Sequence, residues 1–350
     1  MPKASQDRGE RIFIRRVLIV LGLGLLVFIA WQLRTLLLML FGAVIVATVF
    51  RAVADRIAKL TGCPERLSII LSILIVLGGI GTLIALFGAQ LVRQLDVLRE
   101  TLPVAWRAFE ARIGDLGLGD QLRQFVESLR PSGSGSLSAF GRVILSVGGG
   151  IADVLVVLVA GIFLAAQPRF YATGAIKLVP PAKRDLALEA MQDSESALRL
   201  WLKGQLIAMV VVGLLTGLGL WALGMPSALA LGLLAGLLEF IPFAGPILSA
   251  IPAILLALAV SPDLALWVLL LYVAVQQLEG NVLTPVVQQY AVDLPGVVLL
   301  FSLLAFGTLF GALGVILAAP LAVVTYVLVK RLYVIETLHT PTPLPGKGGK

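Results

Sequence analysis

Across residues 204–329 the chain carries no lysine, arginine or histidine, and its only charges are Glu239, Asp263, Glu279 and Asp293. A stretch this apolar leaves no polar face to meet water, so it cannot be a soluble domain. It belongs in a bilayer, where every backbone polar group has to be satisfied within the protein. The rest of the chain agrees: of 350 residues, 59% are hydrophobic and 13% charged. The expected fold class is all-α, a polytopic membrane protein built as a helical bundle. The net charge of +7 comes from basic residues flanking the apolar runs, which fits cytoplasmic loops and argues against nucleic-acid binding. The single Cys63 leaves no internal disulfide and no cysteine-rich metal site. The single His339 lies in a Pro/Gly-rich tail, so a histidine-based active site is not expected. No cofactor is called for.

Taken in order, residues 1–92 read as an N-terminal scaffold of three spans. Residues 17–33 and 35–50 form two short apolar pieces, expected as an uncleaved helical hairpin with a cytoplasmic amino terminus. A basic loop holds Arg51, Arg56, Lys59 and Arg66, and residues 67–92 are a third span whose Gly78, Gly79 and Gly81 permit close helix packing. Residues 93–145 are an extracytoplasmic amphipathic helical region, with Leu98, Leu102, Trp106, Phe109 and Ile113 at helical spacing. Such a stripe is a contact face on the bundle or on a neighbouring subunit, or else a lid. Residues 146–203 comprise a fourth span, with Asp153 near its outer end, and a cytoplasmic helix from about Lys183 lying along the membrane surface. Residues 204–329 are the transport core, and residues 330–350 a cytoplasmic tail.

The core contains two interrupted units. In the first, Glu239, Pro242, Gly245 and Pro246 fall inside an apolar run that Pro252 is expected to interrupt again. Proline removes a backbone donor and clashes with the preceding turn, so the helix should break there. In the second, Gly307, Gly311, Gly314 and Pro320 interrupt residues 296–329. The leading arms, residues 227–239 and 296–310, reach only about 20 Å, less than a hydrocarbon core of roughly 30 Å. Paired short, Gly/Pro-broken segments in two parts of a chain suggest re-entrant hairpins in an inverted repeat, with the site between them. Between the units, a polar loop holds Glu279, Asn281, Thr284 and Pro285. None of the four acids has a basic residue within the block. Each must be hydrated, protonated, hydrogen-bonded by free backbone N–H groups, or paired with a cation. Glu239 and Glu279, beside the expected breaks, are the candidates for binding substrate or ion. Asp263 after Ser261-Pro262 reads as a helix cap, and Asp293 as a solvated loop residue. Gly236 joins the glycines and prolines above as a hinge or packing position.

Several of these residues resemble those of a known family. They are Gly204-Gln205, the run from Gly236 through Glu239-Phe240-Ile241-Pro242-Phe243-Ala244-Gly245-Pro246, and Gln277-Leu278-Glu279-Gly280-Asn281 with Thr284-Pro285. Phe310-Gly311 and Gly314 to Pro320 extend the likeness over nearly the whole chain. It resembles the AI-2E (autoinducer-2 exporter) transporters, which include PerM-like permeases. The resemblance implies a multi-pass secondary transporter of a bacterial or archaeal inner (cytoplasmic) membrane, a homo-oligomer. It implies export of the quorum-sensing signal autoinducer-2 or Na⁺(Li⁺)/H⁺ antiport. Many members carry a basic residue soon after the Thr-Pro, where this chain has Val286-Val287-Gln288-Gln289.

The function expected is therefore secondary transport of a small polar solute by alternating access, with a proton or monovalent cation as the coupling partner. Nothing resembles an ATP-binding loop. An antiporter is the first alternative. A non-transporting membrane scaffold, binding partners through residues 93–142, is the alternative of another class. An intramembrane hydrolase fails, because no histidine or lysine lies in the block to activate a serine.

Overall fold

The computed structural model describes residues 3–88, 151–283 and 294–342, and these are all helix and short connection. The amphipathic region at 93–145, the start of the fourth span, Thr284, Pro285, Val286 to Gln289, Asp293 and the end of the tail lie outside the described residues.

Helix α1 (Lys3–Gln32) runs into α2 (Arg34–Thr61). At Leu33 the helical bonds carry through: its N–H donates to Ile29 O and its carbonyl accepts from Leu37 N–H, each at 2.9 Å. The two helices otherwise make little contact, so the expected hairpin is not formed and one helix continues into the next. The loop expected from Arg51 is also absent. Nothing in residues 51–61 breaks a helix, and α2 ends where Gly62 turns left-handed (φ 70°) and donates to Ala58 O. Arg51, on this extension, donates to Ala165 O at 2.9 Å and pairs with Glu65 at 2.9 Å. It thereby ties α2 to α3 (Glu65–Leu83) and α4 (Ile151–Ala166). Gly78, Gly79 and Gly81 face open space, contrary to the packing role expected of them. The close approach is instead between α2 and α4, where a Cβ on Gly161 would come within 2.7 Å of Val46 Cγ1. Helix α5 (Pro168–Lys177) leaves α4 at Gln167 with a bend of 92°.

Helix α6 (Arg184–Ala222) is a single 39-residue rod, about 58 Å long. The expected division near Lys203 into a surface helix and a span does not occur, since no proline interrupts the run. On one side α6 receives α7 (Ala228–Leu238). Gly213 and Gly217 of α6 face Gly232 and Gly236 of α7 so closely that a Cβ on Gly236 would lie 2.6 Å from Met209 O. Helix α8 (Ala244–Val260) folds back beside α7 and continues unbroken through Pro252, which is buried within it. Helix α9 (Pro262–Leu278) is capped by Ser261, whose Oγ accepts from Leu264 N–H at 3.1 Å. Asp263 sits in the first turn and is not the capping residue expected.

The last helix, α10 (Gly296–Val329), contains the second break, and it falls at Gly311 alone (φ 66°, ψ −146°). A Cβ on Gly314 would strike the carbonyl of Phe306. In a straight helix those residues would be about 12 Å apart along the axis, so the chain turns back on itself here. Leu294 and Leu299 of the first arm accordingly pack with Val323 and Val327 of the second. Gly307 packs against Val315, and Pro320 is buried within the second arm; neither is a break.

The two hairpins open toward opposite ends of α6. The open end of the first packs with Leu220, and its closed end brings Phe240 against Trp201. The open end of the second lies against Ala197 and Trp201. Beyond it, Arg331 pairs with Glu189 and approaches the buried Asp193 at 3.7 Å. Among the described residues five helices are long and apolar enough to cross a membrane, and a sixth if α4 and α5 count as one bent span. Among these α10 qualifies by length only, because Gly311 divides it.

The glycine contact between α6 and α7 has a direct consequence for stability. Gly232→Ala forces a methyl against the backbone of Gly217 and is expected to destabilise by about 1–3 kcal/mol. Gly78→Ala meets nothing within 4 Å and should leave stability unchanged or slightly raised. Thermal unfolding of both variants in detergent checks the contrast.

Candidate carboxyl site

The site forms where the first hairpin closes. Helix α7 stops because Pro242 and Pro246 lack the N–H groups that a continuing helix requires. The backbone tightens before it turns: Phe240 N–H donates to Leu237 O at 3.3 Å and Ile241 N–H to Leu238 O at 2.9 Å. A γ-turn follows, with Ala244 N–H on Pro242 O at 2.7 Å and Phe243 between them at φ 63°, ψ −47°. That is a strained conformation for a residue bearing a Cβ. Gly245 N–H donates to Ile241 O at 2.8 Å, and its Cα lies beneath the Leu238 carbonyl, where a side chain would not fit. The tip thus consumes most of the backbone donors that the sequence led us to expect free.

The Glu239 side chain is the exception to this local satisfaction. It is 3% exposed, and its Oε2 accepts no hydrogen bond. Its main-chain carbonyl accepts from Gln205 Nε2 of α6 at 2.6 Å, which fixes the tip against the rod. The residue in front of its carboxyl is Glu279, at the end of α9, and the two carboxyl groups come within hydrogen-bonding reach. The expected break at Glu279 is not found; the chain widens there into a π-type turn (Glu279–Leu283) that begins with the acid, which is half-buried. Gln276 Nε2 donates to Glu279 Oε2. Below the pair, Tyr272 OH donates to Ser249 O at 3.2 Å and holds α9 to α8. None of the ion pairs among the described residues involves either acid.

The structure therefore brings together Glu239 and Glu279, forty residues apart in sequence, and adds Gln205 and Gln276, to which sequence reasoning assigned no role. The available signal was that each is an amide bordering an apolar run. Pro242 and Pro246 are half-buried in the tip, and Pro246 O accepts from Ser249 Oγ at 3.0 Å. Asn281 is exposed on the π-type turn. Gly236 packs on α6 one turn before the tip. Among the described residues no three His, Cys, Asp or Glu side chains gather as metal ligands.

Comparison with known proteins agrees with this architecture. The family model described as "AI-2E family transporter" matches residues 17–333. "Putative transport protein YrrI" of Bacillus subtilis (strain 168) is 27% identical over 293 residues, covering 79% of this chain and 81% of its own. "Putative permease PerM" of Escherichia coli (strain K12) is 27% identical over 323 residues, 87% of this chain and 89% of its own. "AI-2 transport protein TqsA" of the same strain is 23% identical over 325 residues, 89% and 92% of the two chains. With nearly all of its length matched, from the first apolar helix to the turn after α10, this chain is a member of the AI-2E transporter family.

Proposed function

We propose that the chain is a secondary transporter in which the Glu239–Glu279 pair couples movement of a small polar solute to a proton or monovalent cation. One observation carries the reading: two carboxyl groups meet at the tip of a broken hairpin, and one of them is buried with an unpartnered oxygen. Two carboxyls in that position repel unless a positive charge lies between them. Among the described residues the polar groups bonded at the pair are the neutral amides of Gln205 and Gln276, and no ion pair involves either acid, so on this reading the positive charge comes from solution. A site that must be filled from outside, on a tip held by one strained turn, is suited to binding and releasing an ion as the hairpin moves.

An autoinducer-2-like solute, and hence a part in quorum sensing, is the substrate we favour; its support is the name of TqsA. Alternating access is supported by two hairpins that open toward opposite ends of α6. We place the protein in the inner membrane as a homo-oligomer with both termini in the cytoplasm, on the distribution of its basic residues and on family resemblance. Na⁺(Li⁺)/H⁺ antiport is the second reading. It is favoured by the absence of any basic partner for the two acids among the ion pairs of the described residues. The scaffold alternative depends on residues outside the described ones.

Glu239→Gln and Glu279→Gln, reconstituted in proteoliposomes with an imposed pH gradient, are expected to lose gradient-driven efflux of the solute. Wild-type flux in either variant removes that acid from coupling. In everted vesicles, dye dequenching on adding Na⁺ or Li⁺ identifies the antiporter instead. A further expectation concerns the tether from α6. Gln205→Ala should loosen the tip by about 1 kcal/mol, seen as faster amide exchange at residues 239–245 than in the wild type.

A further inference from the structure

Helix α5 (Pro168–Lys177) plays no part in the carboxyl site, none of its residues is buried, and nothing so far explains its direction. It leaves the apolar α4 at 92°. If α4 crosses the bilayer, α5 must run in the plane of the membrane surface. Its sequence suits that placement. At 100° per residue, Phe170, Tyr171, Ala175 and the following Leu178 fall on one arc; Lys177 borders that arc beside Phe170, and Thr173 and Arg169 follow on the same flank. Phe170 is 70% exposed and Leu178 88% exposed. Large apolar groups left that open on a surface need a cover. Phe170 and Tyr171 pack edge to face with centroids 5.3 Å apart, forming an aromatic wedge of the kind that settles at headgroup level. The helix holds two basic residues and no acidic one. An open cavity of about 610 Å³ lies along it, bordered by Arg169, Thr173 and Lys177 at the polar edge and Phe170 and Tyr171 at the apolar one.

We propose that α5 is an interfacial amphipathic helix that seats on acidic phospholipid, with Phe170, Tyr171 and Leu178 among the upper acyl chains and Arg169 and Lys177 on headgroup phosphate. The charge complementarity selects the occupant: a basic polar arc faces an anionic surface, and an apolar arc faces hydrocarbon. The helix anchors the right-angle corner that it makes with α4, ahead of the long rod α6, and so fixes the height at which the rod enters the bilayer.

The test uses the full-length protein with Cys63→Ser and single spin labels at positions 170, 173 and 178. It is reconstituted in phosphatidylcholine alone or mixed equally with phosphatidylglycerol. Collision with oxygen, which concentrates in lipid, is compared with collision with a water-soluble nickel chelate. Seating on lipid predicts that labels at 170 and 178 favour oxygen severalfold over the label at 173. The preference should deepen with phosphatidylglycerol, and Arg169→Gln with Lys177→Gln should abolish that deepening. Equal nickel access at all three positions overturns the proposal, because the helix then stands in water. Labels at 170 and 178 shielded from both reagents also overturn it, because protein then covers the face. An oxygen preference indifferent to phosphatidylglycerol overturns the selection for acidic lipid.

Discussion

A helix that ends inside hydrocarbon leaves its last carbonyls without partners, and no water is present to receive them. The arrangement at the heart of this protein follows from how residues 239–246 meet that demand. Two prolines remove donors, and Phe240, Ile241, Ala244 and Gly245 donate within the tip itself. The one carbonyl aimed outward, that of Glu239, is taken by Gln205 from a different helix. A break satisfied largely within itself can be narrow, and narrowness allows α7 and α8 to lie side by side. Gly245 under the Leu238 carbonyl and Gly314 under the Phe306 carbonyl show the same device in both hairpins. At each, a glycine two or three residues past the turning residue, Phe243 or Gly311, lets the returning arm start against the end of the outgoing one.

The two hairpins are fastened to α6 by different means. The first lies on a glycine face, where Gly213 and Gly217 meet Gly232 and Gly236 with backbone against backbone. Dispersion holds such a contact, and it contains no side chain whose partner would be lost by a small displacement. The second hairpin is pinned near its base, where Arg331 reaches Glu189 and the buried Asp193. Breaking a buried charge pair is costly, since it strands a desolvated ion. The rod α6 therefore has a smooth attachment along one hairpin and a charged one below the other. On the proposed reading, the acid that exchanges its ion belongs to the smoothly held hairpin.

How far the sequence was legible depends on the kind of signal. Composition alone indicated an all-α membrane protein, because nothing else tolerates residues 204–329 without a basic group. The first break was legible because Pro242 and Pro246 forbid a helix by covalent structure. Pro252 and Pro320 have the same chemistry but lie inside helices, where the flanking turns hold the helix together around a missing donor. The second break was placed among four candidates, and only Gly311 has the backbone angles to make it. The loops expected after residues 50 and 203 were inferred from charge, and charge does not terminate a helix. Arginines continue α2 and α6 well past the apolar segment, reaching Glu65 and Asp55 from their own helices. The meeting of Glu239 with Glu279 was not legible, since it depends on α9 returning beside the tip.

The manner in which Glu239 is left without a partner on Oε2, beside a second acid, argues for its use. A protein that needed Glu239 only as a structural group had inexpensive ways to settle it. A nearby arginine would pair it, as Arg331 pairs Glu189, and a glutamine would hydrogen-bond without charge. The fold supplies glutamines at 205 and 276 but spends the first on a main-chain carbonyl and the second on the other acid. The buried Oε2 faces only what arrives. A built-in cation would occupy that place permanently and compete with any ion from solution. Leaving it open costs stability in the empty state, because the buried Glu239 carboxyl then faces a second acid without a partner for Oε2. On the proposed reading that cost is recovered when a proton or cation binds, and the closed tip is conditional on its being there. Conditional closure of this kind ties the position of a hairpin to the concentration of an ion, which is what a carrier driven by a gradient requires.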